Sequence, residues 1–326
     1  MERALYPLKF HPHYKEKVWG GQRLRTFFNK NFDPLPNCGE SWELSAVPGS
    51  VSVVANGFLA GNDLKDLVEI YMGDLVGEQV YEKYGNRFPL LFKLLDTIDD
   101  LSIQVHPDDN VARTRHQSDG KTEMWYVIHA EPNAEIIAGF KKDVSEEEYL
   151  YHLENNSLKE ILNVYPTKAG DVFYIPSRQV HAIGGGITLC EIQQSSDITY
   201  RIYDWARKGA DGKLRKLHTD EALDVIDFSA KDNRVDYEAI PDNAVNLVQS
   251  KYFTARLMQL NHPVELDYFR VDSFVVYVCI DGGCRIQTPS GTEQLNKGET
   301  VLLPASINGV KLLPDPTCKL LETYIA

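Results

Sequence analysis

One stretch of the chain, residues 170–205, combines the features of a strand with those of a binding site. Its first apolar run, residues 172–175, is β-branched and aromatic, which suits the half-buried surface of a sheet. Pro176 ends that strand because proline has no N–H to donate to a ladder. His181 and Arg201 follow on either side of a glycine-rich turn. The pattern predicts a hairpin of a β-barrel that presents a histidine and an arginine.

The same spacing recurs closer to the C-terminus. Residues 298–304 match residues 170–176 in the separation of glycine and proline, and Gly309 stands at the position of His181. We interpret this as a degenerate internal repeat. It predicts two related barrels, of which only the first kept its histidine.

Most of the remaining chain consists of short apolar segments spaced by roughly 8–12 residues, which is typical of a sandwich or barrel. We therefore predict a mostly β protein with a metal-binding barrel and small helical segments in residues 1–240. The second barrel, without metal ligands, is expected in residues 241–326. Caps and helical periodicity predict short helices at residues 62–72, 146–154, 158–163 and 219–226. Residues 51–54 are predicted as a strand and residues 227–246 as a connector.

Two strands upstream of His181 carry further metal-binding side chains. Gln104 and His106 share one face of a predicted strand, because strand side chains alternate between faces. Glu123 projects from the start of the next strand. Two imidazoles, a carboxylate and an amide oxygen suit zinc, iron, manganese or nickel, and they argue against a soft thiolate site.

Composition limits the possible partners. The 326 residues include 34 basic and 47 acidic side chains, which gives a net charge of −13 and disfavours nucleic acid and anionic membranes as partners. An anionic small molecule would therefore need a local cluster of Lys and Arg. No apolar run approaches the roughly 20 residues that span a bilayer, and the first residues lack the apolar core of a signal peptide. Five cysteines without a CxxC pair predict reduced thiols and a cytoplasmic location.

Several motifs occur in an order that resembles one family of the cupin superfamily. They are VWGG, GESWELS, FPLLFKLLD, QVHPDD, GKTEMWYV, the strand from Gly170 to His181, and EIQQSSDITYRIYDW. Together they resemble the class I mannose-6-phosphate isomerases (phosphomannose isomerases), in particular the short bacterial form. This resemblance covers nearly the whole chain and implies two cupin-type jelly-roll barrels.

The resemblance also implies a function: zinc-dependent, reversible interconversion of mannose 6-phosphate and fructose 6-phosphate. The residues that match the family's zinc ligands, one zinc per chain, are Gln104, His106, Glu123 and His181. The family's active-site arginine falls on Arg201, and two lysines near its substrate fall on Lys93 and Lys121. Thr122 stands where the family often has proline. The oligomeric state, monomer or homodimer, stays open.

These groups fit the chemistry of an aldose–ketose isomerase. Such an enzyme moves a proton between neighbouring carbons through an enediol-type intermediate, and a nearby cation stabilises the developing oxyanion. Arg201 and Lys121 are expected to act in catalysis. Lys93, Lys121, Arg201 and Glu191 are expected to bind the substrate. The proton acceptor is left open between Glu191, a zinc-bound water and one of the lysines.

Two other functions remain open on the residues alone. His106, Glu123 and His181 form the two-histidine, one-carboxylate set of non-haem iron oxygenases. A regulatory barrel that binds a sugar phosphate without turnover would also keep these groups.

Each residue also has a structural alternative. Gln104 could bond a neighbouring imidazole or water, and Lys93 could form a structural salt bridge. Lys121 could be a plain surface charge. Arg201 could pair internally with Asp197 or Asp204.

Overall fold

A computed structural model describes residues 4–209 and 212–325. Residues 1–3, 210–211 and 326, which include the outer ends of both predicted barrels, lie outside the described part. Within it the chain forms 21 strands and six short α-helices, so the predicted mostly β fold is confirmed. The helices are α1 (Arg23–Phe28), α2 (Leu64–Val76), α3 (Glu78–Tyr84), α4 (Asp109–His116), α5 (Glu146–Glu154) and α6 (Thr219–Leu223). None of the helices in this part is long and apolar enough to cross a bilayer.

Two antiparallel sheets build the first barrel. The seven-stranded sheet contains β2 (His13–Lys15), β3 (Glu40–Leu44), β5 (Leu90–Thr97), β7 (Glu123–Ala130), β10 (Val172–Ile175), β12 (Ile187–Gln194) and β14 (Arg234–Val235). The five-stranded sheet contains β6 (Ile103–Val105), β8 (Glu135–Phe140), β9 (Leu162–Pro166), β11 (His181–Ile183) and β13 (Tyr200–Tyr203). Their strand orders are β14-β10-β7-β12-β5-β3-β2 and β13-β6-β11-β8-β9. Trp125 and Phe173 from the larger sheet pack with Ile136 and Ile183 from the smaller one.

The second barrel is one nine-stranded sheet. It contains β1 (Leu8–His11), β4 (Val53–Val54), β15 (Ala244–Gln249), β16 (Thr254–Leu260), β17 (Val264–Asp267), β18 (Val275–Thr288), β19 (Gly291–Asn296), β20 (Thr300–Leu303) and β21 (Gly309–Tyr324). Strand β1 pairs with β20, so an N-terminal strand joins the sheet of the C-terminal region. The boundary between residues 240 and 241 stays a prediction.

The strands of the two barrels follow the internal repeat residue by residue. Strand β20 begins at Thr300 and β10 at Val172, a shift of 128 residues. The same shift relates the first residue of β21, Gly309, to the first residue of β11, His181. The similarity of the two sequence stretches therefore corresponds to a similarity of backbone structure.

Even irregularities of pairing recur. The register of β3 against β5 shifts between Trp42 and Leu44, and that of β15 against β16 shifts between Asn246 and Val248. Strands β15 and β16 take the places of β3 and β5 in the strand order. Asn246 and Val248 each follow the corresponding residue, Trp42 or Leu44, by 204 residues. Bulges that fall at matching positions indicate that the two sheets share one frame, because a bulge fixes the register of every side chain beyond it.

Two helix predictions agree closely with the structure. Helix α5 has its predicted bounds, and the Ser145 hydroxyl accepts a hydrogen bond from the backbone N–H of Glu148. Helix α2 begins after Asp63, whose side chain caps it, but it continues past the predicted end to Val76. Met72, inside this helix, has a non-helical backbone.

The other local predictions need correction. The predicted helix at 158–163 is only a 3-10 turn, Leu158–Glu160, because the chain then enters β9 and pairs with β8. Ser157 makes no capping bond there. Helix α6 ends at Leu223, and the predicted strand at 51–54 is limited to Val53–Val54. The predicted connector contains β14 and the start of β15.

Candidate metal centre and substrate cavity

Three buried side chains converge in the first barrel. Donor atoms of His106, Glu123 and His181 all lie within 4.8 Å of one another. The Nε2 atom of His106 lies 3.5 Å from Oε2 of Glu123, and Nε2 of His181 lies 3.5 Å from its Oε1. In residues 4–209 and 212–325, no other group of three or more His, Cys, Asp or Glu residues has its donor atoms this close together.

The strand register explains this convergence. Glu123 and His181 open β7 and β11, and His106 directly follows β6. Strands β6 and β11 are neighbours in which Gln104 pairs with His181. The predicted ligand positions therefore come together from both sheets of the barrel.

The hydrogen bonds made by Nδ1 of the two imidazoles fix the direction of their Nε2 lone pairs. Nδ1 of His106 donates to the carbonyl of Ile198 at 2.9 Å, and Nδ1 of His181 donates to that of Gln179 at 2.8 Å. The Nε2 lone pairs therefore face the centre, which is how metal-binding histidines are usually held. Both carboxylate oxygens of Glu123 are buried and accept no well-aligned hydrogen bond from a described residue. This donor set fits a divalent metal.

The charge states favour metal binding. Burial lowers the pKa of His106 to about 3, aided by the charge of Lys121, and burial also lowers the pKa of His181. Both imidazoles are therefore neutral near pH 7. Burial alone would raise the pKa of Glu123, but its neighbours, first of all the positive charge of Lys121, outweigh it and hold this pKa well below its usual range. Neutral imidazoles and an ionised carboxylate are the forms that bind metals.

Gln104 lies beside this group. Its side-chain amide is 3.2 Å from Nε2 of His181, and its oxygen accepts a hydrogen bond from Ser102 at 3.4 Å. The contact with an imidazole matches the structural alternative for Gln104. Its role as a fourth ligand stays a prediction.

Lys121 is buried, so the alternative of a plain surface charge is wrong. Its Nζ lies 3.1 Å from Nε2 of His106 and 3.0 Å from Oε2 of Glu123. The ammonium therefore stands directly against the metal-binding group. From there it can reach any oxygen bound beside these side chains.

Lys93 and Glu191 form a buried ion pair. The distance from Nζ to Oε1 is 2.8 Å, and Trp125 Nε1 donates to Oε2 of Glu191 at 2.9 Å. Burial alone would lower the pKa of Lys93, but the charges of Glu191 and Glu40 outweigh burial and raise this pKa. Lys93 thus remains an ammonium, and both oxygens of Glu191 are engaged.

A cavity of about 320 Å³ opens beside the centre. Predicted site residues that line it are Lys93, Gln104, Lys121, Glu191 and Arg201. Sequence reasoning missed several other lining side chains: Lys17, Trp19, Glu40, Trp42, Ser102, Asp197, Thr199 and Arg215. The VWGG and GESWELS segments contributed only to the family resemblance, and no spacing signal identified Arg215. The cavity therefore brings together cations from distant parts of the chain beside the metal centre.

Arg201 forms no ion pair within the described ranges, so the proposed pairing with Asp197 or Asp204 is wrong. Its Nη1 donates to the carbonyl of Lys216 at 2.9 Å, and its buried Nε has no partner among the described residues. Asp204 instead binds Arg207 and Arg215. Arg201 therefore has donor capacity left for a ligand.

Comparison with known proteins agrees with this geometry. The model of the phosphomannose isomerase type I catalytic domain matches residues 7–123, and that of the mannose-6-phosphate isomerase cupin domain matches residues 243–324. A mannose-6-phosphate isomerase of Bacillus subtilis is 38% identical over 94% of this chain and 95% of its own length. The chain belongs to the type I phosphomannose isomerase family.

Further relatives support this family. A mannose-6-phosphate isomerase of Streptococcus mutans is 37% identical over 92% of this chain and 93% of its own. The crystal structure of a mannose 6-phosphate isomerase from Bacillus subtilis superposes with a TM-score of 0.87 at 34% identity. It covers 97% of this chain and 99% of that one. The resemblance inferred from the motifs is therefore confirmed, and the chain is an isomerase of this family.

Proposed function

We propose that this phosphomannose isomerase interconverts mannose 6-phosphate and fructose 6-phosphate through an enediol-type intermediate and depends on one zinc ion per chain. The observation that carries the proposal is the convergence of His106, Glu123 and His181 beside a cavity lined by Lys121 and Arg201. Gln104 is proposed as the fourth ligand. This set of nitrogen and oxygen donors is compatible with zinc, and the family resemblance favours zinc over iron, manganese or nickel.

A bound zinc ion would supply Lewis-acid stabilisation to the sugar oxygens at C1 and C2. The chain's own residues position the substrate. Lys121 holds a proton at Nζ beside these oxygens and donates a charge-assisted hydrogen bond to them. Arg201 binds the phosphate and thereby orients the reacting carbons.

The contacts of Lys93 and Glu191 limit their part in proton transfer. Glu191 accepts hydrogen bonds on both oxygens, and Lys93 keeps its proton because its pKa is raised. We propose that the pair binds and orients sugar hydroxyls from the cavity wall. Proton transfer is then assigned to a group outside this pair.

The test is turnover of mannose 6-phosphate by the purified chain, followed as fructose 6-phosphate before and after chelation and after zinc is added back. Loss with chelator and recovery with zinc supports the proposal. Tight substrate binding without turnover in the zinc-loaded protein would indicate a regulatory binding barrel. Activity that needs iron and oxygen instead would indicate the oxygenase alternative.

Three further assignments accompany this proposal. By sequence, we assign residues 1–240 to the first barrel, except β1 and β4, which join the sheet of the degenerate barrel, and residues 241–326 to the degenerate barrel. The partner is a small sugar phosphate. A cytoplasmic location is supported by the five cysteines, which are all buried and free.

A further inference from the structure

Two arginines that follow β13 bind one carboxylate, and a third arginine, Arg201 of β13, lies near them. Asp204 is buried and accepts a hydrogen bond from Arg207 at 2.9 Å. It also binds Nε of Arg215 at 2.6 Å and a second nitrogen of the same guanidinium. Arg201 is close enough that the charges of Arg215 and Arg207, after burial itself, lower its pKa. Three positive charges stand against Asp204, and Asp197 on the same cavity reduces the local excess to about one.

Only two of these arginines face the cavity. Arg201 and Arg215 line it, whereas Arg207 does not. The fork of Arg215 is held from behind by Asp204, which reduces the entropy that the side chain would lose on binding an anion. Buried Nε of Arg201 lacks a partner among the described residues. The lysines on this cavity differ from Arg201, because Lys17, Lys93 and Lys121 each have a carboxylate within 4 Å.

The strand register gives the distance of this group from the metal centre. Arg201 pairs with Gln104 across β13 and β6, and Gln104 pairs with His181 across β6 and β11. Directly opposed residues share a face, so the three side chains form a row two strand spacings long, about 10 Å. Thr199 and Asp197, two and four residues before Arg201, also line the cavity. Arg201 thus lies two strands away from His181, on the opposite side of Gln104.

We propose that Arg215 is a second phosphate-binding residue, which acts together with Arg201, and that Asp204 is the positioning residue that aims it. The inference rests on the proposed function, since it assigns the phosphate end of that substrate. A phosphate monoester carries about −1.5 to −2 charges near pH 7, which the two guanidiniums that line the cavity complement. Two guanidiniums can bind three terminal oxygens with bidentate geometry. In a chain with a net charge of −13, such a local excess also concentrates the anion.

The experiment compares Arg215→Ala with Arg207→Ala in the zinc-loaded full chain. Both arginines bind Asp204, but only Arg215 lines the cavity, so Arg207→Ala is the matched control. Affinity for inorganic phosphate is measured by calorimetry, and KM and kcat are measured with mannose 6-phosphate. Loss of a charged hydrogen bond predicts phosphate affinity about 10- to 100-fold weaker and KM raised by a similar factor in Arg215→Ala. Arg207→Ala should change both by less than about 3-fold.

The outcomes separate this inference from the proposed function. Equal losses in the two variants, or unchanged phosphate affinity in folded Arg215→Ala, would overturn the role of Arg215. If the alanine variant does not fold, Arg215→Lys takes its place and is expected to lose the bidentate contact and weaken phosphate binding about 10-fold. Phosphate binding that depends on Arg215 in a protein without isomerase turnover would support the site and reject the proposed function. Normal turnover with a normal KM in Arg215→Ala would support the proposed function and reject the role of Arg215.

Discussion

Both barrels bury one carboxylate between a cation on one neighbouring strand and an aromatic residue on the other. The matched sets are Lys93, Glu191 and Trp125 in the first barrel, and Arg256, Glu322 and Tyr277 in the second. Each cation binds its carboxylate directly. The second barrel differs in one detail, since it is the hydroxyl of Tyr268 that donates to Glu322, and Tyr277 contacts Tyr268.

The metal-binding positions behave in the opposite way. In the second barrel the register places Asp267, Val275 and Gly309 at the positions of Gln104, Glu123 and His181. The buried ion pair thus recurs in the second barrel, whereas the metal ligands do not. We call this ion pair part of the common frame, meaning the structural features that both barrels share. Because an unpaired buried charge is strongly destabilising, loss of either partner should destabilise the protein in both barrels. The metal ligands distinguish the first barrel from the second. In the first barrel Lys93 and Glu191 also line the cavity, in addition to their role in the common frame.

The largest expected effect comes from the matched pair His181→Ala and Gly309→Ala. His181→Ala removes a proposed ligand, so zinc affinity should fall and kcat/KM should drop at least about 100-fold, because the metal contributes several kcal/mol to the transition state. Gly309→Ala should keep zinc content and activity, since an added Cβ meets no atom within 4 Å. Bound zinc is measured by elemental analysis alongside turnover. Equal zinc content in His181→Ala and the unchanged chain would contradict the assignment of His181.

A second pair, Glu191→Gln and Glu322→Gln, separates the frame from the site. Each variant leaves a cation without its charged partner, which should lower the free energy of unfolding by about 3 kcal/mol in Glu191→Gln and about 2 kcal/mol in Glu322→Gln. The second value is smaller because the Arg256 side chain is 23% exposed and Lys93 only 6%. Denaturant unfolding measures both.

Only Glu191→Gln should also lose activity, because only Glu191 lines the cavity beside the metal centre. Turnover is compared at a temperature where both variants are folded. A folded Glu322→Gln variant with as little activity as Glu191→Gln would break the distinction between frame and site.

The barrels also differ in how much of them local sequence patterns could predict. The ligand positions and the repeat were predictable because period-2 alternation and the glycine, proline and histidine spacing are local signals. The pairing of β1 with β20 was not, since it joins residues about 290 positions apart through tertiary packing alone. Helix α4 was missed although Asp108 caps it, because its short polar sequence lacks an apolar stripe.

The cavity shows the same limit. Glu191 is recognisable beside the His181 hairpin, but Glu40 and Arg215 reach the cavity from segments without any metal-binding pattern. Their positions depend on strand order in the sheet and on an ion pair with Asp204. Neither leaves a periodic trace in the sequence.

The smallest expected effect concerns Glu40, whose counterpart in the second barrel is Ala244. Burial alone would raise the pKa of Glu40, but Lys17, Lys93 and the Trp42 N–H outweigh it and lower this pKa to about 2. A lowered folded-state pKa means that ionised Glu40 stabilises the fold above its unfolded pKa of about 4.3. This contribution, about 2 kcal/mol, should be lost as pH falls from about 5 towards 2.

Glu40→Gln cannot titrate, so its deficit in unfolding free energy relative to the unchanged chain should be largest near pH 7 and shrink below about pH 5. Urea unfolding at several pH values from 7 to about 3.5 measures this deficit. Ala244→Gln places the same amide at the matched position, where no carboxylate is replaced, and its deficit should not change with pH. A deficit of Glu40→Gln that stays constant over the same range would show that Glu40 is held by packing, and that its charge does not distinguish the first barrel from the second.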